Sequence, residues 1–284
     1  MPLEMRRRFY AEEIAATSNI GNPAIVEALA TVPRESFLRP GPWSVRSESD
    51  FFGPPRRQTP DADPARVYHN YAIAIDESRQ LFNGAPGLLS MLIDRLGLKP
   101  GDRSIHIGAA TGYYSAIMAQ CVGPTGRVLA FEVDEPLAAE ARGNLAPTPW
   151  VEVRHADASA PIDEPVNGIL VNAGVTHPLD GWLDGLAEGG RLVLPLTVTM
   201  RAPIGKGLVV LATRTADPSF FEARVIGFVA IYNAIGLRDD VTEKQLGAAL
   251  AKTPFPLLKR LRRDRHDAGP ACWCHTAGGC LSTD

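Results

Sequence analysis

The stretch Ser104-Ile-His-Ile-Gly-Ala-Ala-Thr-Gly-Tyr-Tyr114 decides the fold that the sequence predicts. A short apolar strand runs into a turn of small residues, and the turn leads directly into a helix. Gly108 permits the tight turn, and Gly112 lets the helix pack closely against the strand. Such a turn allows a ligand to approach the backbone at the carboxyl end of a parallel sheet. We therefore expect a ligand-binding edge at this point of the chain.

Strands and helices alternate on both sides of this stretch, from residue 69 to residue 215. Strands are predicted over 104–107, 127–132, 151–154, 168–172 and 191–195, and helices over 87–97, 113–122 and 136–145. Strands separated by helices of about ten residues favour a mostly parallel sheet with helices on both faces. Two further strands, over 208–212 and 223–229, follow without helices and predict an antiparallel edge. The predicted fold class is therefore α/β, a Rossmann-like doubly wound sheet of seven strands with an antiparallel C-terminal edge.

The segments that flank this core differ from it in composition. Residues 6–31 show helical spacing with a break near 19–23. Residues 40–68 are rich in Pro, Arg, Asp and Ser, which predicts a long surface loop. A last helix is predicted over 239–262. We therefore divide the chain into an N-terminal helical segment with its loop (1–68), a ligand-binding core (69–215) and a C-terminal β/α extension (216–284).

The composition excludes several classes of protein. The chain has 284 residues, with 29 Lys and Arg against 32 Asp and Glu, and a formal net charge of −3. With 45% hydrophobic residues it is neither disordered nor fibrous. The near-neutral charge provides no general attraction for nucleic acid or anionic lipid, so we expect neither as a partner. No apolar run is long enough to span a membrane, and no secretory signal follows the basic start, so we expect a cytoplasmic protein.

The turn and the strand that follows it indicate which ligand binds. Glu132 ends the next strand, where a carboxylate can bind two ribose hydroxyls. A dinucleotide site needs glycine at three fixed positions, and residues 108–112 lack that pattern, so S-adenosylmethionine is favoured over NAD. Asp157 can accept from an adenine amino group, although it reads equally as a turn residue that caps a helix. The predicted cofactor-binding residues are His106, Gly108, Ala109, Thr111, Gly112, Tyr113, Glu132, Val133, Asp157, Ala158 and Asn172.

Four segments of the chain resemble a known family, and one of them is residues 128–132 followed by residues 137–145. Val32-Pro-Arg-Glu-Ser-Phe-Leu38 is similar to the amino-terminal Val-Pro-Arg-Glu-x-Phe segment of the protein-L-isoaspartate O-methyltransferases. Leu98-Lys-Pro-Gly-Asp-Arg-Ser-Ile-His-Ile-Gly-Ala-Ala-Thr-Gly-Tyr113 resembles their Leu-Lys-Pro-Gly-Asp-x-Val-Leu-Glu-Ile-Gly-x-Gly-Ser-Gly-Tyr. Leu186-Ala-Glu-Gly-Gly-Arg-Leu-Val-Leu-Pro195 also fits. The resemblance covers about residues 24–215 and implies an S-adenosylmethionine-dependent enzyme that methylates carboxyl groups.

The chain departs from the family at two positions near the expected site. Where the family carries Thr-Ile-Ser-Gln-Pro, with its serine at the methyl-transfer site, this chain has Phe82-Asn-Gly-Ala-Pro86, so that Gly84 replaces the serine. His106 stands where the family has an acidic residue, and it either contacts the cofactor or is a paired buried histidine. We therefore predict a divergent carboxyl O-methyltransferase whose acceptor is a peptide or small molecule. The alternatives are a small-molecule O- or N-methyltransferase of specialised metabolism and a non-catalytic S-adenosylmethionine-binding regulator.

Methyl transfer to a carboxylate requires positioning rather than a strong base, because a carboxylate is already ionised near neutral pH. A hydroxyl or amine acceptor would benefit from a general base. The candidate catalytic residues are Asp76, Asn83 and His177. Asp76 either orients a substrate nitrogen or pairs with Arg79, which could itself hold a substrate carboxylate. Asn83 begins a turn that, as the resemblance implies, faces the methionine end of the cofactor, and His177 is either a base or an ordinary loop histidine.

The tail carries the remaining reactive side chains. Its metal-ligating residues are His266, Cys272, Cys274, His275 and Cys280. The gap between Cys272 and Cys274 is shorter than zinc sites usually have, so we predict no metal site. We expect residues 271–275 to form a short strand with Trp273 packed on the core, and the basic run over 259–265 to be a solvated helix end. The strands near 223–235 and the tail are the predicted contact of a homodimer.

Overall fold

The computed structural model describes residues 1–47, 57–276 and 278–284. Its helices are α1 (Leu3–Thr17), α2 (Pro23–Thr31), α3 (Pro86–Leu96), α4 (Tyr113–Val122), α5 (Glu135–Leu145), α6 (Asp180–Asp184) and α7 (Asp240–Lys252), with 3-10 helices over Arg34–Phe37 and Pro64–Val67. Its strands are β1 (Ser44–Arg46), β2 (Arg57–Gln58), β3 (Ala72–Asp76), β4 (Leu81–Phe82), β5 (Arg103–Ile107), β6 (Arg127–Glu132), β7 (Val151–His155), β8 (Val166–Val171), β9 (Leu186–Arg201), β10 (Ile204–Arg214), β11 (Phe220–Tyr232), β12 (Arg260–Arg262), β13 (Cys272–Thr276) and β14 (Gly279–Ser282).

The larger sheet that these described residues form has ten strands, in the order β13-β14-β12-β11-β10-β9-β8-β5-β6-β7. β8 is parallel to both β5 and β9, whereas the strands from β9 to β14 pair antiparallel. The predicted α/β class and its antiparallel C-terminal edge are therefore confirmed. The sheet is longer than the seven predicted strands because the C-terminal extension adds β12, β14 and β13 beyond β11. A smaller sheet has the order β2-β1-β3-β4.

The chain folds into two compact units. The first comprises Met1–Gly101, Ala109–Ala130 and Asp134–Arg154, and it contains α1 to α5 and the small sheet. The second comprises Asp102–Gly108, Phe131–Val133 and His155–Asp284, and it contains β5, β8 to β14 and the last residues of β6 and β7. None of the helices in the described part of the chain has the length and apolar character needed to cross a membrane.

Local sequence signals set the ends of helices in the first unit. The side chain of Asn22 accepts a hydrogen bond from Ala24 N at 2.9 Å, and Pro23 occupies the first turn of α2. Both features favour the start of a helix after the break that follows α1. Gly97 ends α3 in the left-handed conformation, with φ of +65°. The predicted break near 19–23 and the predicted helix end at Gly97 are confirmed.

A buried arginine organises the polar centre of the first unit. Arg34 is fully buried, and its guanidinium donates to the backbone carbonyls of Val67 at 2.7 Å, His69 at 3.1 Å and Tyr71 at 2.8 Å. Its Cζ atom also lies 5.9 Å from the ring centre of Tyr113. A buried charge is tolerated only when hydrogen bonds replace the water it has lost. Arg34 therefore fixes the 67–71 segment to the 3-10 helix that it begins.

The second unit is apolar on both faces of its parallel strands. Ile169 and Leu170 are successive residues of β8 and are both fully buried. Ile105 of β5 stands opposite Ile169 in register. Because successive residues of a strand point to opposite faces, both faces of β8 are covered, as in parallel sheets generally. Trp182 of α6 is also buried, and its indole N–H donates to Ala158 O at 2.8 Å.

The structure corrects the predicted end of the last helix. The helix predicted over 239–262 stops at Lys252, because Pro254 and Pro256 lack the N–H groups that a continuing helix needs and restrict the residues before them. Arg260–Arg262 forms β12 and pairs with β11 instead. The basic run is therefore partly a strand and not a helix end.

The prediction for the following segment is confirmed in one respect and wrong in another. Residues 271–275 were predicted as a short strand, and β13 confirms that strand. Trp273, however, is half-buried rather than packed on the core. Its indole N–H donates to Thr253 O at 2.9 Å, just after the end of α7. The tryptophan therefore attaches the strand to the chain that leaves α7.

The predicted loop over 40–68 is structured in part. β1 pairs antiparallel with both β2 and β3. Asp63 accepts a hydrogen bond from Ala65 N at 2.9 Å and so begins the 3-10 helix over Pro64–Val67. These elements give the predicted surface loop short stretches of regular structure. Residues 48–56 of the predicted loop lie outside the described residues.

Replacing Arg34 with methionine is expected to destabilise the protein, because the backbone carbonyls of Val67 and Tyr71 lose the guanidinium donor, whereas that of His69 still accepts from Tyr71 N at 2.9 Å. Each unsatisfied buried acceptor costs about 1–3 kcal/mol, so we expect the free energy of unfolding to fall by about 2 kcal/mol or more. Chemical denaturation measures this change. The matched control is Arg8→Met, because the Arg8–Glu27 ion pair is exposed and its loss should change stability little. An unchanged denaturation midpoint for Arg34→Met would contradict the role assigned to it.

Candidate active site

Three backbone hydrogen bonds join the carboxyl ends of the central strands in the second unit. Gly108 N donates to Phe131 O at 2.9 Å, which connects the end of β5 to the end of β6. Ala156 N donates to Glu132 O at 3.1 Å, and Asn172 N donates to Ile107 O at 2.8 Å. The residues that follow β5, β6, β7 and β8 are thereby held at one edge of the sheet. This edge is where open α/β sheets bind their ligands.

Gly108 is needed at this edge for two reasons. Its φ of +79° lies in the left-handed region that favours glycine, and a Cβ atom there would lie 3.1 Å from Asn172 O. The side chain of Asn172 in turn donates from Nδ2 to Gly108 O at 3.3 Å. The turn after β5 and the end of β8 are therefore fixed to each other, with the backbone of Gly108 left uncovered by a side chain.

Glu132 provides a carboxylate at the same edge. Its residue exposure is 7%, although it is the last residue of a strand and carries a charge. Val133, which follows it, is 37% exposed, and its carbonyl oxygen lies 3.0 Å from Nε2 of His155. A largely buried carboxylate at the end of β6 suits the two hydroxyls of a ribose, since both of its oxygens accept hydrogen bonds. The predicted role of Glu132 is compatible with this position.

Asp157 and Ala158 form the turn after β7. Asp157 Oδ1 accepts from Ser159 Oγ at 2.7 Å and from Ser159 N at 3.0 Å. These hydrogen bonds, that from the hydroxyl first, lower the pKa of Asp157 below its ordinary value. Ala158 has φ of +59°, and its carbonyl accepts from the buried Trp182. Asp157 is therefore an ionised turn residue. The hydrogen bond from Trp182 to Ala158 O fixes the turn.

His106 is uncharged at neutral pH. It is fully buried in β5, and this burial lowers its pKa to about 3. The imidazole therefore gives the site neither the negative charge of the family's acidic residue nor a positive charge of its own. Any contact that His106 makes with a ligand is a hydrogen bond from a neutral ring.

The rest of the glycine-rich turn belongs to the first unit. Gly112 has φ of +95°, and a Cβ atom there would lie 2.8 Å from Leu145 Cδ1 at the end of α5. The carbonyl of Thr111 accepts from Asn144 Nδ2 at 2.9 Å. Ala109 is 4% exposed and Thr111 is 3% exposed, so the turn is closely packed. Sequence reasoning missed Asn144. The sequence shows it only as a polar residue near the end of a predicted helix, which does not indicate its contact with Thr111.

Tyr113 was predicted to bind the cofactor, but its side chain lies in the core of the first unit. It is 2% exposed, packs edge to face on Phe37 at 5.6 Å and on Tyr114 at 5.1 Å, and has its hydroxyl 3.5 Å from that of Tyr10. This packing places the tyrosine among aromatic rings. The backbone N–H of Tyr113, in the first turn of α4, is the part of the residue that suits ligand binding.

Asn83 and Gly84 lie in the stretch that the resemblance matches to the family's Thr-Ile-Ser-Gln-Pro segment. Asn83 is 5% exposed, and its Oδ1 accepts from Ile73 N at 2.9 Å and lies 3.4 Å from Arg34 Nη2. Its Nδ2 atom is buried and has no hydrogen-bond partner among the described residues. Gly84 has φ of +80°, and its carbonyl accepts from Tyr114 Oη at 3.1 Å. Tyr114 was not predicted to support this turn.

Asp76 and Arg79 serve local structure in the first unit. Asp76 Oδ1 accepts from Ser78 Oγ at 2.6 Å and from Arg79 N at 3.2 Å, and the hydroxyl contact chiefly lowers the pKa of Asp76. The guanidinium of Arg79 forms an ion pair with Asp134 at 2.6 Å. Asp134 also caps α5 by accepting from Leu137 N at 3.1 Å. The contacts of Asp76 are therefore those of a turn residue.

His177 lies beside the start of α7 in the second unit. Its Nδ1 is 2.9 Å from Thr176 Oγ1, and the same hydroxyl accepts from Asp239 N at 3.0 Å. The neighbouring Arg238, which sequence reasoning missed, donates from Nη1 to Gly174 O at 2.6 Å and from Nη2 to Thr197 O at 3.0 Å. Arg238 thus fixes the loop after β8 to β9. No motif in the sequence marked it, because its partners are distant along the chain.

Comparison with known proteins identifies the family. The family model of the protein-L-isoaspartate(D-aspartate) O-methyltransferases matches residues 56–218, which is more than half of the chain. The chain belongs to this family. The protein-L-isoaspartate O-methyltransferase of Aeropyrum pernix is 29% identical over 247 residues, which cover 84% of each chain. Protein-L-isoaspartate O-methyltransferase 1 of Rhodopseudomonas palustris is 31% identical over 198 residues, which cover 67% of this chain and 69% of the relative.

Solved structures of the family show the same fold. A protein-L-isoaspartate O-methyltransferase superposes with a TM-score of 0.64 and 21% identity, covering 86% of this chain and 68% of that one. A Plasmodium falciparum protein described as a putative member, in complex with S-adenosyl-L-homocysteine, gives a TM-score of 0.59 and 16% identity, covering 81% of this chain and 98% of that one. The predicted methyltransferase fold is therefore confirmed, as is the predicted class of S-adenosylmethionine-dependent methyltransferase.

Replacing Glu132 with alanine is expected to abolish binding of S-adenosylmethionine. Two hydrogen bonds to a charged acceptor are worth about 1.5–3 kcal/mol each, so the affinity should fall by about a hundredfold or more. Isothermal titration calorimetry measures the change, and circular dichroism checks that the variant is folded. Glu152→Ala is the control, because Glu152 pairs with Arg154 at 2.7 Å on the surface of β7 and should leave the affinity unchanged. Equal affinity of wild type and Glu132→Ala would remove Glu132 from the site.

Proposed function

We propose that this family member transfers a methyl group from S-adenosylmethionine to a carboxylate of a peptide or small molecule, and that isoaspartyl peptides are not its main acceptor. Membership of the family supports carboxyl methylation. The observation that carries the proposal is the backbone at Gly84, whose φ of +80° disfavours any residue with a Cβ atom. A serine would be strained at this backbone angle, and a chain with glycine here lacks the hydroxyl that the resemblance places at the methyl-transfer site, so in this proposal other groups hold the acceptor.

The cofactor is held, in this proposal, by the edge that the strand ends form. Glu132 accepts from the ribose hydroxyls, and Asp157 accepts from the adenine amino group. The bare backbone of Gly108, where a Cβ atom would lie 3.1 Å from Asn172 O, leaves room for close approach of the ligand. When bound, S-adenosylmethionine supplies an electrophilic methyl group on a sulfonium. The two carboxylates are negatively charged and accept hydrogen bonds, so they suit a nucleoside ligand that carries a positive charge and hydroxyl and amino groups.

The task left to the chain is to position the acceptor. A carboxylate with an ordinary pKa is ionised near neutral pH, so its oxygen is already a nucleophile and no residue need remove a proton. Asn83 is the best placed of the three catalytic candidates, because its buried Nδ2 is a donor that has no partner in the described part of the chain. The guanidinium of Arg34, 3.4 Å from Asn83 Oδ1, further favours an anion near this amide. Asp76 and His177 are weaker candidates, since their side chains make the hydrogen bonds of turn and loop residues.

The proposal also covers the cellular compartment and the oligomeric state of the enzyme. We infer a cytoplasmic protein, which the free thiols of Cys121, Cys272, Cys274 and Cys280 support. We also infer a homodimer through the strands near 223–235. Phe228 is 53% exposed and Ile235 is 54% exposed, so this surface offers apolar side chains to a partner.

The chemistry of the product tests the proposal. Methyl esters release methanol in mild alkali, whereas methyl ethers and methylamines do not. We expect the product formed from labelled S-adenosylmethionine and a panel of acidic peptides and small carboxylic acids to release its label as methanol. A matched pair of isoaspartyl and aspartyl peptides within the panel measures how far the acceptor differs from that of the family. Alkali-stable label on every acceptor would contradict carboxyl methylation.

Replacing Gly84 with serine is not expected to create isoaspartyl activity. A Cβ atom at this position would lie 2.8 Å from Leu89 Cδ2, and the positive φ adds strain, so we expect lower thermal stability and no gain in turnover of an isoaspartyl peptide. Gly143→Ser is the control, since Gly143 has open space around its Cα. Efficient methylation of the isoaspartyl peptide by Gly84→Ser would show that the single serine decides the acceptor.

A further inference from the structure

Four metal-ligating side chains meet in the C-terminal extension, and none of them is among the residues assigned to methyl transfer. They are His266, Cys272, His275 and Cys280. One ligating atom from each lies within 4.8 Å of all the others. Ligands on a tetrahedral zinc ion lie about 3.3–3.8 Å apart, given metal–ligand lengths of about 2.0–2.3 Å, so small movements of the side chains suffice to close such a site. The geometry points to a Cys2His2 zinc site, which we propose for this extension.

A β-bulge explains why these residues meet although their spacing in the sequence is unusual. His275 stands directly opposite Cys280 where β13 pairs with β14, which brings the two side chains to one face. The register shifts between Cys272 and Cys274. A bulge inserts one extra residue and reverses the alternation of faces on one side of it. Cys272 therefore shares a face with His275, at the two-residue gap that zinc ligands commonly have, and Cys274 does not join the cluster.

The surroundings of His266 match those of a metal-bound histidine. Its Nδ1 lies 2.9 Å from Asp264 O and 3.4 Å from Asp264 Oδ2. Asp264 is itself held by Arg262, whose Nε and Nη2 donate to the two carboxylate oxygens at 3.0 and 2.7 Å. Metal-bound histidines usually have their second nitrogen fixed in this way by a carboxylate or a carbonyl. The remaining nitrogen, Nε2, is directed at the cluster and lies 3.6 Å from Cys272 Sγ.

Three further observations favour a metal over an ordinary polar cluster. Nδ1 of His275 is buried and has no hydrogen-bond partner among the described residues, which is costly for a ring nitrogen unless a ligand occupies it. Gly269 N donates to Cys272 Sγ at 3.3 Å, and a thiolate accepts such a bond better than a thiol does. The rings of His266 and His275 are 4.8 Å apart and nearly perpendicular, so both can reach one ion.

The proposed ion would connect three parts of the extension. His266 lies in the segment after β12, and the other ligands lie on β13 and β14. The two cysteines bind as thiolates, so binding of Zn²⁺ releases their two protons and leaves a site without net charge. Beyond β12 the sheet edge consists of two short strands, β14 with four residues and β13 with five. The ion therefore has a structural role, with all four positions filled by protein and none open to a substrate.

Metal analysis of the full-length protein tests this site. The protein is purified without an affinity tag and without chelators, and its metals are measured by inductively coupled plasma mass spectrometry. We expect about one zinc ion per chain, removal by a strong chelator with a fall in melting temperature of at least about 5 °C, and recovery of both on adding Zn²⁺. Cobalt added to the apoprotein should give the absorption of a tetrahedral site with thiolate ligands.

Matched variants identify the ligands. Cys272→Ser and Cys280→Ser are expected to lose the zinc and the cobalt spectrum, whereas Cys274→Ser, one residue away from a ligand, should keep both. If a ligand variant does not fold, the metal content and cobalt spectrum of the wild-type protein decide the matter alone.

Three results would overturn the proposal. They are a wild-type protein with no stoichiometric zinc that also gives no tetrahedral cobalt spectrum, a different metal at these ligands, and a disulfide between Cys272 and Cys280 found by alkylation and mass spectrometry in freshly purified protein.

Discussion

Three backbone hydrogen bonds between the ends of neighbouring strands are the constraint on which the cofactor edge depends. They join Gly108 to Phe131, Ala156 to Glu132, and Asn172 to Ile107. Each bond lies at the carboxyl end of a strand. The residues that follow these strands therefore lie at the same edge of the sheet. A carboxylate at Glu132, a bare backbone at Gly108 and an ionised Asp157 then lie where an open α/β sheet binds its ligand. The apolar interior around Ile169 and Trp182 serves to keep these strand ends in place.

The strand, turn and helix at this edge could be predicted from the sequence because their signals are local. A turn of small residues after an apolar strand specifies backbone geometry, and the positive φ values of Gly108 and Gly112 agree with that reading. Features that depend on distant partners could not be predicted. Arg238 fixes the loop after β8 through contacts with Gly174 and Thr197, and no pattern near residue 238 reveals them. The packing of the Tyr113 ring against Phe37 is likewise a contact between distant residues, and the cofactor role predicted for this residue stays a prediction.

The extension shows a different limit of sequence reasoning. Spacing along the chain argued against a metal site, since Cys272 and Cys274 are too close together to act as an ordinary ligand pair. The bulge in β13 changes which residues share a face, and it places Cys272 on the same face as His275. The wrong helix end at residue 262 has a similar origin, because the apolar spacing continued past Pro254 although the backbone could not. The bulge and the proline each interrupt a regular repeat of the backbone, and a prediction that extends the repeat along the sequence does not include such an interruption.

The central claim is that the strand ends form a site for S-adenosylmethionine, and titration calorimetry of the wild-type protein tests it most directly. S-adenosylmethionine, S-adenosylhomocysteine and NAD are each titrated into the same preparation. The account predicts micromolar or tighter binding of the first two ligands and no measurable binding of NAD, because the turn lacks the glycine spacing of a dinucleotide site. Failure of both S-adenosyl ligands to bind, or binding of NAD in their place, would contradict it.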